Sequence, residues 1–478
     1  AAFKRLKCPS RNTSDRQGHG RTSNAVQVAI GVWLVSPGHT LERMVAMMLL
    51  VVVPAGLLGI SFPLLMYSAR ELEVLPSAVV GRLYFVNSIG AAGGSLLGGY
   101  FLPRWIGTAG GFATFSVVLV VIAAGTLAVV YFKEKESAED EGGASMLRAL
   151  RPHGVILVLL AVTLVVMPRT LHFKTPEDKL LDSAEDEYGI QMTLRDPDGS
   201  LQVMNNRVYI AYKLGKKVTN LTQEVIAYAS CMFAKECGSV LNIGTGYGIT
   251  AGAYTMMEGV EQIVTIEMLP YVFHNQRMYE PQNHHYLDDK RVERILGDGR
   301  QYLTRSDKKW DVISVNVMDP YMPGSSELFT LEFWEIAREK IAPGGVYCQL
   351  VFGKDVDRLV LGLQQVFGTV LLFEAYKGSY NVIAFPEPLE DPDALMPKLE
   401  RMTPEARAAF KQVRDVNVDT YWPEQTRAAL ERSRAIAKKY EGKELLLHSD
   451  NWPVLEYQWS QGMSSLSLFD SMQAYDYE

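Results

Sequence analysis

The sequence predicts an α-helical membrane region followed by an α/β doubly wound, Rossmann-like domain that opens with a small β-hairpin module. Three observations predict it. Long apolar stretches are confined to residues 41–170, where several approach the length of a bilayer span. From Ser239 onward, short β-branched runs alternate with helical patterns, as parallel strands and their crossovers do. The first of these runs ends in a glycine-rich turn, Gly244-Thr-Gly246-Tyr247-Gly248, and an acid, Glu267, closes the second.

In chain order, residues 1–40 form a polar, basic segment, with Lys4, Arg5, Lys7, Arg11, Arg16 and Arg21 against Asp15. It begins without methionine, as expected of a processed or incomplete end. Ala25 to Val35 is apolar but shorter than the ~20 residues a spanning helix needs. Residues 41–170 are expected to hold about four transmembrane helices. These are Met44 to Tyr67, interrupted by Pro54 and Pro63, then Leu83 to Leu102, Trp105 to Phe132 and the shorter Gly154 to Met167. Gly90, Gly94 and Gly98 fall on one helical face as overlapping GxxxG patterns, which admit a second helix at close range. Lys133, Lys135, Arg148 and Arg151 lie between the third and fourth spans, at odds with the positive-inside tendency.

Residues 174–388 are predicted to be the α/β domain. Tyr188 to Leu194 alternates in polarity, Asp196-Pro-Asp-Gly199 is a turn, and Leu201 begins the returning strand. Val218 to Phe233 reads as a helix packed on the first core strand. Residues 389–478 read as a C-terminal helical extension after a proline- and acid-rich linker from Pro386 to Pro392. In it, Thr403-Pro404-Glu405 opens one helix, and Glu424 to Tyr440 forms a second.

Chemistry is concentrated at three strand ends. Gly244, Gly246 and Gly248 remove the side chains that would keep backbone away from a ligand. Glu267 stands about twenty residues further on, where a carboxylate can bind both ribose hydroxyls. Asp298 and Gly299 close a third run, Val292 to Leu296, where an acid can reach an adenine edge. The three ends converge on one adenosyl group. The formal net charge of −7 argues against a nucleic-acid partner. The four cysteines include no CxxC pair, which reads as a reducing compartment without structural zinc. Adjacent His284 and His285 are expected to be solvent-exposed, and no metal site is expected.

These residues also carry a family resemblance. The order Asp298-Gly299, then Trp310 to Asn316 and Asp319-Pro320, then Ser326-Glu-Leu-Phe329, resembles the spermidine synthases, or aminopropyltransferases, over roughly Glu185 to Pro386. The membrane stretch from Gly81 to Pro103 is similar to bacterial proteins that fuse a major-facilitator-like bundle to such a domain. The resemblance implies an adenosyl-dependent transferase. Its donor would be S-adenosylmethionine or decarboxylated S-adenosylmethionine, its acceptor a small-molecule amine, and no metal would be needed. Gly244, Gly246, Tyr247, Gly248, Glu267, Asp298 and Gly299 would hold the nucleoside, with Asp319 and Asn316 in the catalytic loop. The chain departs from the family at several positions: Tyr247 stands where an Asp grips the donor's ammonium, Asn316 where the usual base stands, Gly189 where the hairpin has a Gln, and Asn205-Asn206 where it often has Asp-Gly. The implied setting is the lipid bilayer of the bacterial inner membrane with the transferase on the cytoplasmic side, alone, as a homo-dimer or among other membrane subunits. Three readings stay open: an aminopropyltransferase, a catalytically degenerate assembly subunit, and an S-adenosylmethionine-dependent methyltransferase.

Overall fold

A computed structural model describes residues 76–107, a few positions between 110 and 125, and residues 179–455 apart from short internal stretches that include 318–323. The chain divides into two compact units, Ala1–Glu177 with Glu185–Gly189, and Asp178–Ala184 with Ile190–Glu478. In the first, helix α1 (Pro76–Leu96) runs into a π-helical turn, Leu97–Phe101. Gly90 and Gly94 share a face of α1, and a methyl group at either would meet nothing within 4 Å. Gly98 lies in the π turn, whose i→i+5 bonding departs from the α-helical spacing that the pattern assumes. Tyr84, Phe85, Val86 and Ile89 are all exposed. No helix among the described residues is long and apolar enough to cross a membrane. The spans expected at Met44 to Tyr67 and Gly154 to Met167 lie outside the described residues.

The second unit begins with a four-stranded sheet in the order β1 (Lys179–Asp186), β2 (Gly189–Arg195), β3 (Leu201–Asn205), β4 (Val208–Leu214). The β2–β3 hairpin pairs Arg195 with Leu201 across the turn, where Gly199 adopts φ +84 and its N–H donates to Asp196 O at 2.9 Å. Positive φ is easy only for glycine, so the turn is set locally.

After helix α2 (Lys217–Phe233) comes the main sheet. Its parallel strands are β5 (Ser239–Ile243), β6 (Gln262–Glu267), β7 (Val292–Leu296), β8 (Trp310–Val315) and β9 (Ile341–Phe352). Two further strands, β10 (Thr369–Tyr376) and β11 (Ser379–Phe385), join antiparallel. The spatial order is β10-β11-β9-β8-β5-β6-β7. Chain direction along the sheet reverses at β5, so a crevice opens beyond the ends of β5 and β8, where doubly wound folds bind ligands. The intervening helices are α3 (Ile249–Thr255), α4 (Pro270–Asn275), α5 (Gly299–Arg305), α6 (Leu331–Glu339) and α7 (Val356–Val366).

Alternation along the strands splits the core into two layers. Val240, Ile263 and Val312 pack with α2, and Leu241, Val264 and Ile313 pack with α6 and α7. The extension adds α8 (Pro404–Arg414), capped by Thr403 Oγ1 accepting from Ala406 N at 3.1 Å, and α9 (Val418–Lys439). The second of these starts six residues before the sequence reading. Asn417 caps it, and fully buried Trp422 anchors its first turns despite Pro423.

One expectation is corrected outright. Cys231 and Cys237 form a disulfide, because the chain turns back after α2 and brings their Cα atoms to 5.3 Å. Cys348 is buried and free.

Where alternation would next place apolar side chains toward α2, the strands instead carry Asn242, Thr265 and Ser314. Ser314 Oγ donates to Asn242 Oδ1 at 3.0 Å, Asn242 Nδ2 donates to Thr265 Oγ1 at 3.0 Å, and Thr265 shares a 2.6 Å bond with Thr245 Oγ1. All four are buried. This ladder ties three strand ends to the glycine turn. Replacing its centre by Asn242→Leu leaves buried polar partners unpaired and should cost about 1–3 kcal/mol. Urea unfolding of the full chain checks this; an unchanged midpoint would mean the ladder contributes nothing.

Candidate active site

The site is built on the turn between β5 and α3. Gly244 N and Thr245 N both donate to Ile266 O, at 2.9 and 3.1 Å, which pins the turn to the end of β6. Gly244, Gly246 and Gly248 have φ of +81, +52 and +88, but they serve different purposes. A methyl at Gly244 would lie 2.7 Å from Asn316 O, and one at Gly248 would lie 2.1 Å from the Tyr286 ring. Those two glycines allow the protein to pack against itself. At Gly246 a methyl would meet nothing within 4 Å. Here the backbone faces open space, the arrangement a closely approaching ligand requires.

Glu267 ends β6 and is 7% exposed. Its Oε2 accepts from Gly246 N at 2.8 Å and its Oε1 accepts from Leu269 N at 2.9 Å. Burial pushes its carboxyl above the ordinary value, against the opposing pull of these backbone N–H groups. Each oxygen retains acceptor capacity for a ligand hydroxyl. The rest of the turn is held by side chains that sequence reasoning did not single out. Gln276 Nε2 donates to Gly246 O at 2.8 Å, and Tyr286 OH donates to Gln276 Oε1 at 2.5 Å. Asn283 Nδ2 donates to Tyr247 O at 3.1 Å and to Gln276 O at 3.0 Å.

Tyr247 is 1% exposed and packs edge-on against Tyr279, with ring centroids 4.3 Å apart. Val203, Tyr271 and Val272 belong to the same apolar cluster. Thr193 of the hairpin module shares hydrogen bonds with Tyr271 OH at 2.8 Å and Tyr279 OH at 3.0 Å. Burial raises both phenols well above the usual range. The Tyr247 ring is thus part of the hydrophobic joint between the hairpin module and the turn.

Asp298 is exposed and caps α5, its Oδ1 accepting from Gln301 N at 3.1 Å. Gly299 is buried, and a methyl there would lie 2.3 Å from Ile243 Cγ2, so this glycine brings α5 against β5. Asn316 follows β8. Its Nδ2 donates to Thr250 Oγ1 at 2.9 Å, and that hydroxyl donates to Gln223 O at 2.9 Å. An amide suits this chain of bonds. A carboxylate at 316 would need the Thr250 proton and would leave Gln223 O without it. Asp319 lies outside the described residues.

His284 and His285 differ from the expectation of two solvated side chains. Both have φ +53, and His284 Nε2 lies 3.0 Å from Glu224 Oε1 of α2, while His285 stays exposed near Glu280. The contact of His284 with Glu224, sixty residues earlier, is a tertiary one that local sequence does not carry. Glu280, His285 and Asp288 bring ligand atoms within 4.8 Å of one another. Arg277 already pairs both carboxylates, at 3.3 and 2.7 Å.

Known proteins resemble parts of this chain. Residues 219–353 match the spermine/spermidine synthase domain. The chain is 26% identical over 262 residues to a polyamine aminopropyltransferase of Thermoanaerobacter sp. (strain X514), a match covering 51% of this chain and 89% of that protein. A polyamine aminopropyltransferase of Mycobacterium tuberculosis is 27% identical over 311 residues, covering 61% of this chain and 55% of its own length. Among solved structures, spermidine synthase from Thermotoga maritima has a TM-score of 0.43 at 18% identity, covering 55% of this chain and 88% of that one. The chain thus resembles the spermine/spermidine synthases most directly over residues 219–353.

Proposed function

We propose that this chain is an aminopropyltransferase that binds decarboxylated S-adenosylmethionine and transfers its aminopropyl group to a polyamine. The observation that carries the reading is the open face of Gly246 beside the buried Glu267 carboxylate, within a domain matched to the spermine/spermidine synthases. The amine nitrogen attacks the methylene carbon next to the sulfonium, a C–N bond forms, the C–S bond breaks, and methylthioadenosine leaves. The amine gives up one proton. Asn316, being neutral, cannot take it, so in this reading Asp319 is the carboxylate of the loop that does. Glu267 orients the ribose while holding Gly246 N, so donor binding and turn geometry depend on the same group.

The membrane setting belongs to the proposal as well. The apolar runs Met44 to Tyr67 and Trp105 to Phe132, and the exposed Tyr84, Phe85, Val86 and Ile89 of α1, support a membrane-anchored chain, and a cytosolic adenosyl donor would set its transferase on the cytoplasmic side of a bacterial inner membrane. Alkaline carbonate extraction should leave the full chain in the membrane pellet; release into the supernatant would remove the anchor from the proposal.

Titration calorimetry of the full chain with decarboxylated S-adenosylmethionine, S-adenosylmethionine and methylthioadenosine tests the nucleoside site. Binding of the decarboxylated donor and the thioether is expected, with loss of both in Gly246→Val, because the branched side chain fills the ligand's approach. Equal affinity in that variant would rule out this pocket. Tighter binding of intact S-adenosylmethionine would favour methyl transfer.

Ribose hydroxyls donate to an ionised carboxylate, and the Glu267 pKa is raised by burial. Affinity is therefore full above that raised pKa and lost as pH falls through it, at a higher pH than an exposed Glu would give. Glu267→Gln should bind more weakly and lose this pH step. A pH profile shared by wild type and variant would assign the step to another group.

A further inference from the structure

We infer that residues 445–455, a strap returning from the C-terminal extension, position the transfer machinery through Asp450 and His448; the inference rests on the aminopropyl-transfer reading above. The strap reaches the region beyond the C-terminal ends of β7 and β8. There it meets the start of α5 and a single helical turn, Ser326–Phe329, that leads through Thr330 into α6. Leu455 anchors it, fully buried in the layer packed with α6 and α7.

The first N–H groups of a helix have no intrahelical partner, and the strap supplies one. Leu331 N donates to His448 O at 3.2 Å, and Asp450 N donates to Glu332 Oε2 at 3.0 Å. Three consecutive carbonyls of the preceding turn are each taken by a side chain from a different element. Ser326 O accepts from His448 Nε2 at 3.0 Å, Glu327 O from Arg300 Nη1 at 2.9 Å, and Leu328 O from Gln349 Nε2 at 3.0 Å. His448 Nδ1 accepts from Leu455 N at 3.4 Å, so the neutral tautomer with its proton on Nε2 suits both partners. Ser326 and His448 are both buried.

Arg300 is the post to which this cluster is tied. It follows Gly299, whose close contact with Ile243 sets α5 against β5, and Leu303 of the same helix is buried in the core. Asp450 grips the guanidinium with both oxygens, Nη1 donating to Oδ1 at 2.9 Å and Nη2 to Oδ2. Bidentate pairing fixes the direction of the guanidinium as well as its charge. Arg300 in turn holds the Asp450 carboxyl below its ordinary value, so the pair stays ionised. Two residues before Arg300 stands Asp298, expected at the adenine edge, and seven residues before Ser326 stands Asp319, the proposed base. Packing against β5 fixes α5 by itself, whereas the Ser326–Thr330 segment leans on the strap. Loosening the strap therefore disturbs where the chain leaving Asp319 is held, and leaves the nucleoside end in place.

The test is steady-state transfer from decarboxylated S-adenosylmethionine to putrescine by the full chain, with methylthioadenosine titration beside it. Asp450→Ala and His448→Phe should each lower kcat about 10- to 100-fold, the scale on which displaced reacting groups cost rate, with methylthioadenosine affinity kept within about twofold. Asp450→Asn, uncharged and of the same shape, serves if the alanine variant does not fold. His448→Gln keeps an N–H near the Nε2 position and should recover most of the loss, whereas a merely space-filling role would be met by the phenylalanine. Arg300→Ala combined with Asp450→Ala should lose no more than either alone, because the two act as one unit. Unchanged kcat in the folded Asp450 and His448 variants overturns the inference and leaves the transfer reading standing. A fall in nucleoside affinity as large as the fall in kcat also overturns it, since the strap would then support the whole site. If the wild type binds methylthioadenosine but transfers nothing to putrescine, the transfer reading has failed and the inference falls with it.

Discussion

The carboxylate of Glu267 is the constraint on which the site depends. It bridges Gly246 N, beyond β5, and Leu269 N, beyond the adjacent β6. A negative charge buried to this degree is expensive, and its raised pKa is the measure of that expense. Backbone N–H groups offset it without adding a side chain that would fill the pocket. The turn is therefore held from beneath, with its outer face left open at Gly246.

Below the turn, the ladder of Ser314, Asn242, Thr265 and Thr245 performs a related task. Apolar side chains at these positions would fill the same volume but would not fix register, because dispersion has no direction. Hydrogen bonds do. Their cost is the need to satisfy every member in a site remote from water. Here each residue finds a partner on the adjacent strand, so β8, β5 and β6 end in a defined stagger and present Asn316, Gly244 and Glu267 together.

Tyr247 and Asn316, two of the positions that depart from the spermidine synthase pattern the sequence resembles, act differently once they are placed. Tyr247 is absorbed into an aromatic cluster with Tyr279 and Tyr271, which joins the hairpin module to the turn. Asn316 is matched by a hydroxyl relay to the start of α2. Neither is an idle replacement of a carboxylate. Both are built into their surroundings.

Much of this was legible in the sequence. Strand periodicity, the glycine spacing, the acids at strand ends, the Asp196 to Gly199 turn and the Thr403-Pro404 cap are all local signals, because each depends on backbone preference over a few residues. What only the tertiary structure decided involves residues distant in sequence. Gly246 faces open space whereas Gly244, Gly248 and Gly299 are packed shut, a difference that no spacing rule contains. Cys231 meets Cys237 because the chain reverses after α2, and Glu224 meets His284 across 60 residues because α2 and the 280–288 loop pack on the same helix. Asn242 and Thr265 read as ordinary strand residues until the register sets them side by side. The sequence determined which backbone each segment adopts; burial and hydrogen-bond satisfaction between segments decided which positions stay open and which close against the protein.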